Sequence, residues 1–192
     1  FGQQPFTYTP PTGFVALNTY NLPDPAIKTG NKQFDVNLWT GTGAARTITN
    51  SGGFYPDLTW IKGRDDTSWH QVFDSVRGAL KGIYPNSTYQ ETTQTDSFNT
   101  FNLTGFTLGA DAAGGSVNSS GKTYVGWQWK AGEGTSSTNT DGSITSTVSV
   151  NRTAGFSIVT YTGNGSSGAT IGHGLGVAPS FIIIKVRSTT ND

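Results

Sequence analysis

Residues 123–130 read "TYVGWQWK", and this stretch decides the fold class. Large apolar residues occupy every second position, so that one side carries Val125, Trp127 and Trp129. A period of two is the pattern of a β-strand with one buried face. Because tryptophan is usually well buried, we expect Trp127 and Trp129 in the core, together with Trp60 of a similar run.

The same period of two recurs in short runs elsewhere: "FVALN" (14–18), "FDVNLWT" (34–40), "DLTWIKGR" (57–64) and "GFTLG" (105–109). Clusters of Gly, Pro, Asn, Asp and Ser separate these runs, as in proteins built of many short strands. The sequence therefore predicts an all-β fold, an antiparallel β-sandwich of the jelly-roll or concanavalin-like type. Only "WHQVFDSVRGAL" (69–80) has apolar residues at helical spacing, so one short helix is an alternative to a strand there.

The composition excludes several classes of function. Charged residues make up 12% of the 192, and 12 Lys+Arg balance 12 Asp+Glu, which argues against nucleic-acid binding. The absence of Cys excludes disulfides, thiolate metal sites and a thiol nucleophile. The longest apolar run, "FIIIKV" (181–186), has the length of a strand and not the ~20 residues of a membrane span, so we expect no membrane insertion.

Two parts of the chain repeat each other. "FDVNLWTGTG" (34–43) matches "FSIVTYTGNG" (156–165), and "YPDLTWIKGR" (55–64) matches "APSFIIIKVR" (178–187). A glycine-rich stretch can align by chance, but the shared Pro, Lys and Arg positions in one register argue against that. We predict two copies of one domain, with a period of about 122 residues.

The repeat predicts four segments. We expect the end of an upstream domain and a connector over 1–31, a complete sandwich repeat over 32–131, a linker rich in Ser, Thr and Gly over 132–154, and the start of a truncated second copy over 155–192. The middle of the linker alternates apolar and polar residues, which leaves an added strand open as the alternative.

Several motifs resemble a known group of proteins. Residues 1–14, "FGQQPFTYTPPTGF", resemble the closing strand of a SPRY-type sandwich. The rest is similar to large repetitive proteins of tailed bacteriophages, notably marine ones, in four motifs: "GFYPDLTWIKGR" (53–64), "FDSVRG" (73–78), "GFTLG" (105–109) and "YVGWQWKAG" (124–132).

The resemblance implies a virion structural protein, from a tail fibre or another exposed appendage. It would lie outside the cell in the assembled particle and contact other virion proteins. Such fibres are usually trimers, which leaves a homo-oligomer open, although the sequence has no heptad stretch to trimerise it. The implied role is host attachment. The alternatives are a polysaccharide depolymerase and an inert structural spacer.

Three aromatic residues are the candidate ligand-binding residues. Trp69, Tyr84 and Tyr89 lie in polar, loop-like surroundings that can expose their rings to solvent. Exposed aromatic rings stack on sugar rings, and a surface rich in hydroxyl and amide groups suits an uncharged ligand. We therefore expect weak contacts with a host surface glycan. For Trp69, packing at the edge of the sheet is an equal alternative.

The sequence indicates no catalytic residues. His70, Asp74 and Ser75 are close in sequence, but closeness in sequence does not make a catalytic triad, and the carboxylates of the first repeat do not cluster in strands. We expect a hydrogen-bonded structural role for His70 and an ion pair between Asp74 and Arg77. The protein is therefore expected not to be an enzyme.

No cofactor or metal ligand can be named from the sequence. Calcium is the alternative, since Asp-containing loops at 63–68 and 109–120 have suitable oxygen ligands, but neither loop has a calcium-binding pattern.

Overall fold

The computed structural model describes residues 8–9, 11–14, 24–112, 114 and 116–189. Regular structure within these ranges consists of β-strands and one 3-10 turn at Gly30–Lys32, which confirms the all-β prediction. The strands are β1 Phe34–Thr40, β2 Arg46–Thr49, β3 Leu58–Gly63, β4 Gln71–Asp74, β5 Lys81–Gly82, β6 Thr92–Thr93, β7 Phe98–Asn102, β8 Gly105–Leu108, β9 Thr123–Trp129, β10 Ser137–Asn139, β11 Ser146–Asn151 and β12 Phe156–Tyr161.

Two antiparallel sheets form a sandwich. The first has the order β1-β9-β3-β4 and the second the order β2-β8-β7. Both sheets contribute to one hydrophobic core, since Ile61 and Phe73 come from the first sheet and Phe106 and Leu108 from the second, all fully buried. The remaining buried members of this core are Trp39, Ile48, Phe98, Phe101, Val117 and Tyr124. The predicted antiparallel sandwich is therefore confirmed.

The alternation of β9 was predicted correctly, but the buried face was assigned wrongly. Trp127 and Trp129 are only half-buried and lie on the outer side of the sheet, as does Trp60 of β3. The inner side of β9 instead carries Tyr124, Gly126 and Gln128. The physical reason is the ring of Trp39 on β1, which lies so close to Gly126 that a Cβ there would approach it to 2.9 Å. A large side chain at this inner position would collide with that ring.

The short helix considered for residues 69–80 does not form. Residues Gln71–Asp74 are strand β4, in which all four residues are buried. The strand ends because the Asp74 carboxylate accepts hydrogen bonds from the backbone N–H groups of Val76 and Arg77, at 3.1 and 2.9 Å, which closes a turn. The helical spacing of the apolar residues is thus a coincidence of a strand followed by a turn.

A third, smaller sheet of order β10-β11-β12 follows the sandwich. Two of its strands, β10 and β11, lie within residues 132–154, so the segment predicted as a linker contains paired strands. Strand β12 begins at Phe156, the counterpart of Phe34 where β1 begins. Phe156 stacks on Trp129 with ring centroids 6.1 Å apart. The division into repeat, linker and second copy stays a prediction. The SPRY-like end and the run at 14–18 fall largely outside the described residues.

Candidate functional site

The three aromatic residues singled out from the sequence lie together in the structure. The ring centroid of Trp69 is 5.4 Å from that of Tyr84 and 4.9 Å from that of Tyr89. Trp69 is 43% exposed and Tyr89 is 49% exposed. We call these three residues the aromatic cluster. Trp69 contacts both neighbours and still presents much of its ring to solvent.

The strands around the cluster hold it in place. Trp69 lies just before β4, and Tyr84 follows β5. The Tyr84 hydroxyl lies 3.1 Å from the hydroxyl of Thr92 and accepts a hydrogen bond of 2.8 Å from the side-chain amide of Gln94. Because both partners come from or adjoin β6, the orientation of the Tyr84 ring is set before any ligand arrives.

An open depression of about 300 Å³ lies beside the cluster. Among the described residues, those that line the depression are all uncharged. They are Thr67, Ser68, Trp69, Gln71, Tyr84, Gly114 and Ser116. Gln71 is 3% exposed, and its side-chain carbonyl oxygen has no hydrogen-bond partner among the described residues. A buried acceptor without a partner carries a cost in stability.

Sequence reasoning missed Gln71. The available signal was its place shortly after Trp69, directly before the apolar pair Val72 and Phe73. That signal is weak, because polar residues are common at strand ends. Only the packing shows that the Gln71 side chain is buried and lines the depression.

The side chain and the backbone of His70 are both hydrogen-bonded within the protein. Its Nδ1 atom accepts a hydrogen bond of 2.9 Å from the indole N–H of Trp60, and its backbone N–H donates to the side-chain oxygen of Asn86 at 3.0 Å. Burial lowers the pKa of His70 below its ordinary value of 6.5, and the positive charge of Lys62 lowers it further. Its Nδ1 atom is therefore already occupied as a hydrogen-bond acceptor.

The predicted ion pair between Asp74 and Arg77 is confirmed. The Nε atom of Arg77 lies 2.5 Å from Asp74, and its Nη1 atom lies 3.2 Å from Glu91. Both Asp74 and Arg77 have almost fully buried side chains. The Asp74 carboxylate is therefore engaged in a buried ion pair within the sandwich.

The carboxylates of the two loops considered for calcium bind groups of the protein itself. In the first loop, Asp66 accepts hydrogen bonds from the backbone N–H and the hydroxyl of Ser68. In the second, Asp111 accepts from the backbone N–H groups of Val117 and Asn118, both at 3.0 Å. Over the described ranges, no group of three or more His, Cys, Asp or Glu side chains is placed to hold a metal ion.

One known protein family matches most of the chain. The model of a family described as "Domain of unknown function (DUF7483)" matches residues 29–192. The chain belongs to this family. Among curated proteins and solved structures, none matches it.

The matched region of the DUF7483 domain contains the sandwich, the small sheet and the aromatic cluster with its depression. Nowhere in the described residues is there a helix with the length and apolar character needed to cross a membrane.

Proposed function

We propose that this domain binds an uncharged carbohydrate at the aromatic cluster and the adjoining depression. The observation that carries the proposal is the exposed aromatic platform beside an uncharged depression, which the side chain of Gln71 also lines. A pyranose ring has an apolar C–H face and a rim of hydroxyl groups. The platform suits the face, and Gln71 suits a hydroxyl or an acetamido N–H of the rim.

The geometry of the platform supports a ring-shaped ligand. The rings of Trp69 and Tyr89 are inclined at 44° to each other. A flat ligand can therefore lie on the face of one ring while its edge touches the other. Thr67, Ser68 and Ser116 line the same depression. The hydroxyls of Ser68 and Ser116 already donate, to Asp66 and to the backbone oxygen of Gly114, and can accept a further hydrogen bond, whereas the Thr67 hydroxyl can donate or accept.

The uncharged lining supports a neutral sugar over an acidic one. Recognition of carboxylate or sulfate groups normally uses Arg or Lys, and the described lining residues include neither. A shallow, open site of this kind is expected to bind weakly. Repeated copies on one particle would raise the effective affinity, because each further contact forms at high local concentration.

The setting we propose is an exposed appendage of a phage virion that takes part in host attachment. It rests on the sequence resemblance described above, and the binding site itself rests on the geometry. The two can therefore fail separately. If the domain belonged to another kind of protein, the proposed carbohydrate site could still be correct while the proposed phage appendage would be wrong.

Screening the intact chain on an array of neutral, N-acetylated and acidic saccharides tests the binding proposal. We expect binding to neutral or N-acetylated saccharides, confirmed by calorimetry in solution. Trp69→Ala should weaken this binding about tenfold or more, equivalent to about 1.4 kcal/mol. Tyr161→Ala is the matched control, because Tyr161 is 39% exposed and lies on β12, outside the cluster.

A second variant separates binding from stability. Gln71→Leu removes an acceptor that has no partner among the described residues, so it should leave the free energy of unfolding unchanged or raise it, while it weakens sugar binding. Loss of binding with retained stability supports the site. A folded chain that binds no saccharide would contradict the proposal and favour an inert spacer. Release of reducing ends from a host polysaccharide would instead favour a depolymerase.

A further inference from the structure

The loop between β5 and β6, residues 83–91, carries two of the three rings of the aromatic cluster. Tyr84 lies near its start and Tyr89 near its end. Tyr84 is held from outside the loop, because its hydroxyl accepts a hydrogen bond of 2.8 Å from the side-chain amide of Gln94. Tyr89 is 49% exposed and its ring contacts Trp69. The position of the Tyr89 ring therefore depends on how the rest of the loop is held.

A tight turn shapes the first half of this loop. The backbone N–H of Ser87 donates to the backbone oxygen of Tyr84 at 3.2 Å, which closes the turn. Pro85 occupies the second position of the turn, where its fixed φ favours the turned conformation. The hydroxyl of Ser87 in addition accepts a hydrogen bond of 3.2 Å from the backbone N–H of Tyr89. These contacts are local, so they give the loop its shape but do not attach it to the sandwich.

One side chain of the loop reaches the residue next to Trp69. The side-chain oxygen of Asn86 accepts a hydrogen bond of 3.0 Å from the backbone N–H of His70. Among the residues that the structure describes, this is the only hydrogen bond from residues 85–90 to a part of the chain outside the loop. His70 lies between Trp69 and the buried start of β4 at Gln71. Asn86 therefore ties the loop to a fixed point beside the Trp69 ring.

We propose that Asn86 is a positioning residue of the saccharide site, which holds the Tyr89 ring against Trp69 before a ligand arrives. This inference rests on the carbohydrate binding proposed above and assigns the loop a role in it. The two ring centroids lie 4.9 Å apart, with the rings inclined at 44°. A ring that is already in place need not be ordered when the sugar binds, whereas a free loop must be ordered first. Without Asn86, the platform would lose its second inclined ring.

The chemistry of this hydrogen bond determines which substitutions break it. The backbone N–H of His70 needs an acceptor where the side-chain oxygen of Asn86 lies, and aspartate supplies an oxygen there whereas alanine does not. Asn86 is exposed and lies outside the hydrophobic core. Its replacement should therefore leave the sandwich folded, because water can take the place of the lost acceptor.

Contact between the two rings is measured first, on the intact chain and without any sugar. With isotope-labelled aromatic residues, nuclear Overhauser effects between the rings of Trp69 and Tyr89 report their contact. We expect these effects in the original chain and in Asn86→Asp, and their loss in Asn86→Ala. Thr88→Ala is the matched control and should keep them, because Thr88 is exposed in the same loop and its side chain has no hydrogen bond to the described residues. The urea midpoint should be the same in all four proteins.

Affinity is measured next, on the array of neutral and N-acetylated saccharides and by calorimetry. We expect Asn86→Ala to weaken binding about two- to tenfold, which corresponds to the ordering of one side chain. Asn86→Asp and Thr88→Ala should bind as tightly as the original chain. Retention of binding in the aspartate variant separates the lost acceptor from a general disturbance of the loop.

Ring contact that persists in Asn86→Ala overturns the proposal, as does ring contact that is lost with no loss of affinity. Equal losses in Asn86→Asp and Asn86→Ala also overturn it, since the acceptor oxygen would then not be the cause. An original chain that binds no saccharide contradicts the proposed function instead. The ring contacts of the variants then still decide whether Asn86 places Tyr89.

Discussion

Replacement of Asp57 by Asn tests the buried carboxylate that joins the sandwich to the chain after β9. Asp57 is fully buried at the entry to β3. One of its oxygens accepts hydrogen bonds from the backbone N–H groups of Ala131 and Glu133, at 2.6 and 2.9 Å. The other accepts from the N–H of Gly134 and the hydroxyl of Ser75, both at 2.8 Å. Every contact is therefore with a donor, and the site requires two acceptor oxygens.

Asparagine has nearly the same shape but only one acceptor oxygen. Its NH₂ group would face two donors, so two hydrogen bonds to a charged group are lost and two N–H or O–H groups are left without acceptors. A hydrogen bond to a charged group contributes about 1.5–3 kcal/mol. We therefore expect Asp57→Asn to lower the free energy of unfolding by about 3–6 kcal/mol, a large share of the ~5–15 kcal/mol of a typical domain.

Urea unfolding measures this loss. For a slope of about 2 kcal/mol per molar urea, the midpoint should fall by about 1.5–3 M with an unchanged slope. Asp65→Asn is the control, because Asp65 is exposed and accepts one backbone hydrogen bond, from Thr123 at 3.0 Å, so its loss should stay below about 1 kcal/mol. Hydrogen exchange should quicken at the amides of Ala131, Glu133 and Gly134. A loss for Asp57→Asn no larger than that of the control would refute the reasoning.

Three further changes test other parts of the structure. Arg77→Ala leaves the buried carboxylate of Asp74 without its cation, so we expect the free energy of unfolding, measured by heat or urea, to fall by about 3–5 kcal/mol while saccharide binding is unchanged. An equal loss of stability and of binding would contradict a purely structural role for Arg77. Gly126→Ala places a Cβ 2.9 Å from the buried ring of Trp39, and we expect a loss of about 1–3 kcal/mol, whereas an unchanged melting temperature would show that the ring moves freely. Burial by itself would raise the pKa of Glu91, but hydrogen bonds from Arg187 and Arg77 outweigh it and lower the pKa below the ordinary value of 4.5. The ionised carboxylate therefore stabilises the fold above pH 4.5, and this stabilisation is lost as the pH falls through the lowered pKa. Glu91→Gln should accordingly reduce the acid sensitivity of unfolding below pH 4.5 and leave the rest of the pH profile unchanged.

The sequence predicted where many strands lie but not which of their faces is buried. The period of two along "TYVGWQWK" places β9 correctly, and the same holds for β1, β3 and β8. A strand has two faces, and residue type alone favoured the side with the tryptophans. The choice was made by the neighbouring strand, since the ring of Trp39 occupies the space next to Gly126.

The residues of the candidate site were named from the sequence, while their arrangement was not. Trp69, Tyr84 and Tyr89 stood out as aromatic residues in polar surroundings, and their binding of a glycan stays a prediction. The sequence could not indicate that they touch, because their contact depends on how β4, β5 and β6 are placed. Gln71 was missed for the same reason, since its buried oxygen is visible only once the side chains around it are known.

By itself, the sequence predicted the all-β class and the antiparallel sandwich, since many short runs with a period of two, separated by turn residues, are typical of that fold. The internal repeat, read from direct comparison of two stretches, stays a prediction. Tertiary structure alone decided which face of each strand is buried, that residues 69–80 form a strand and a turn, and that three aromatic rings meet beside an uncharged depression. The physical reason is that periodicity is a local property, whereas burial and hydrogen-bond satisfaction depend on neighbours that are far apart in the chain.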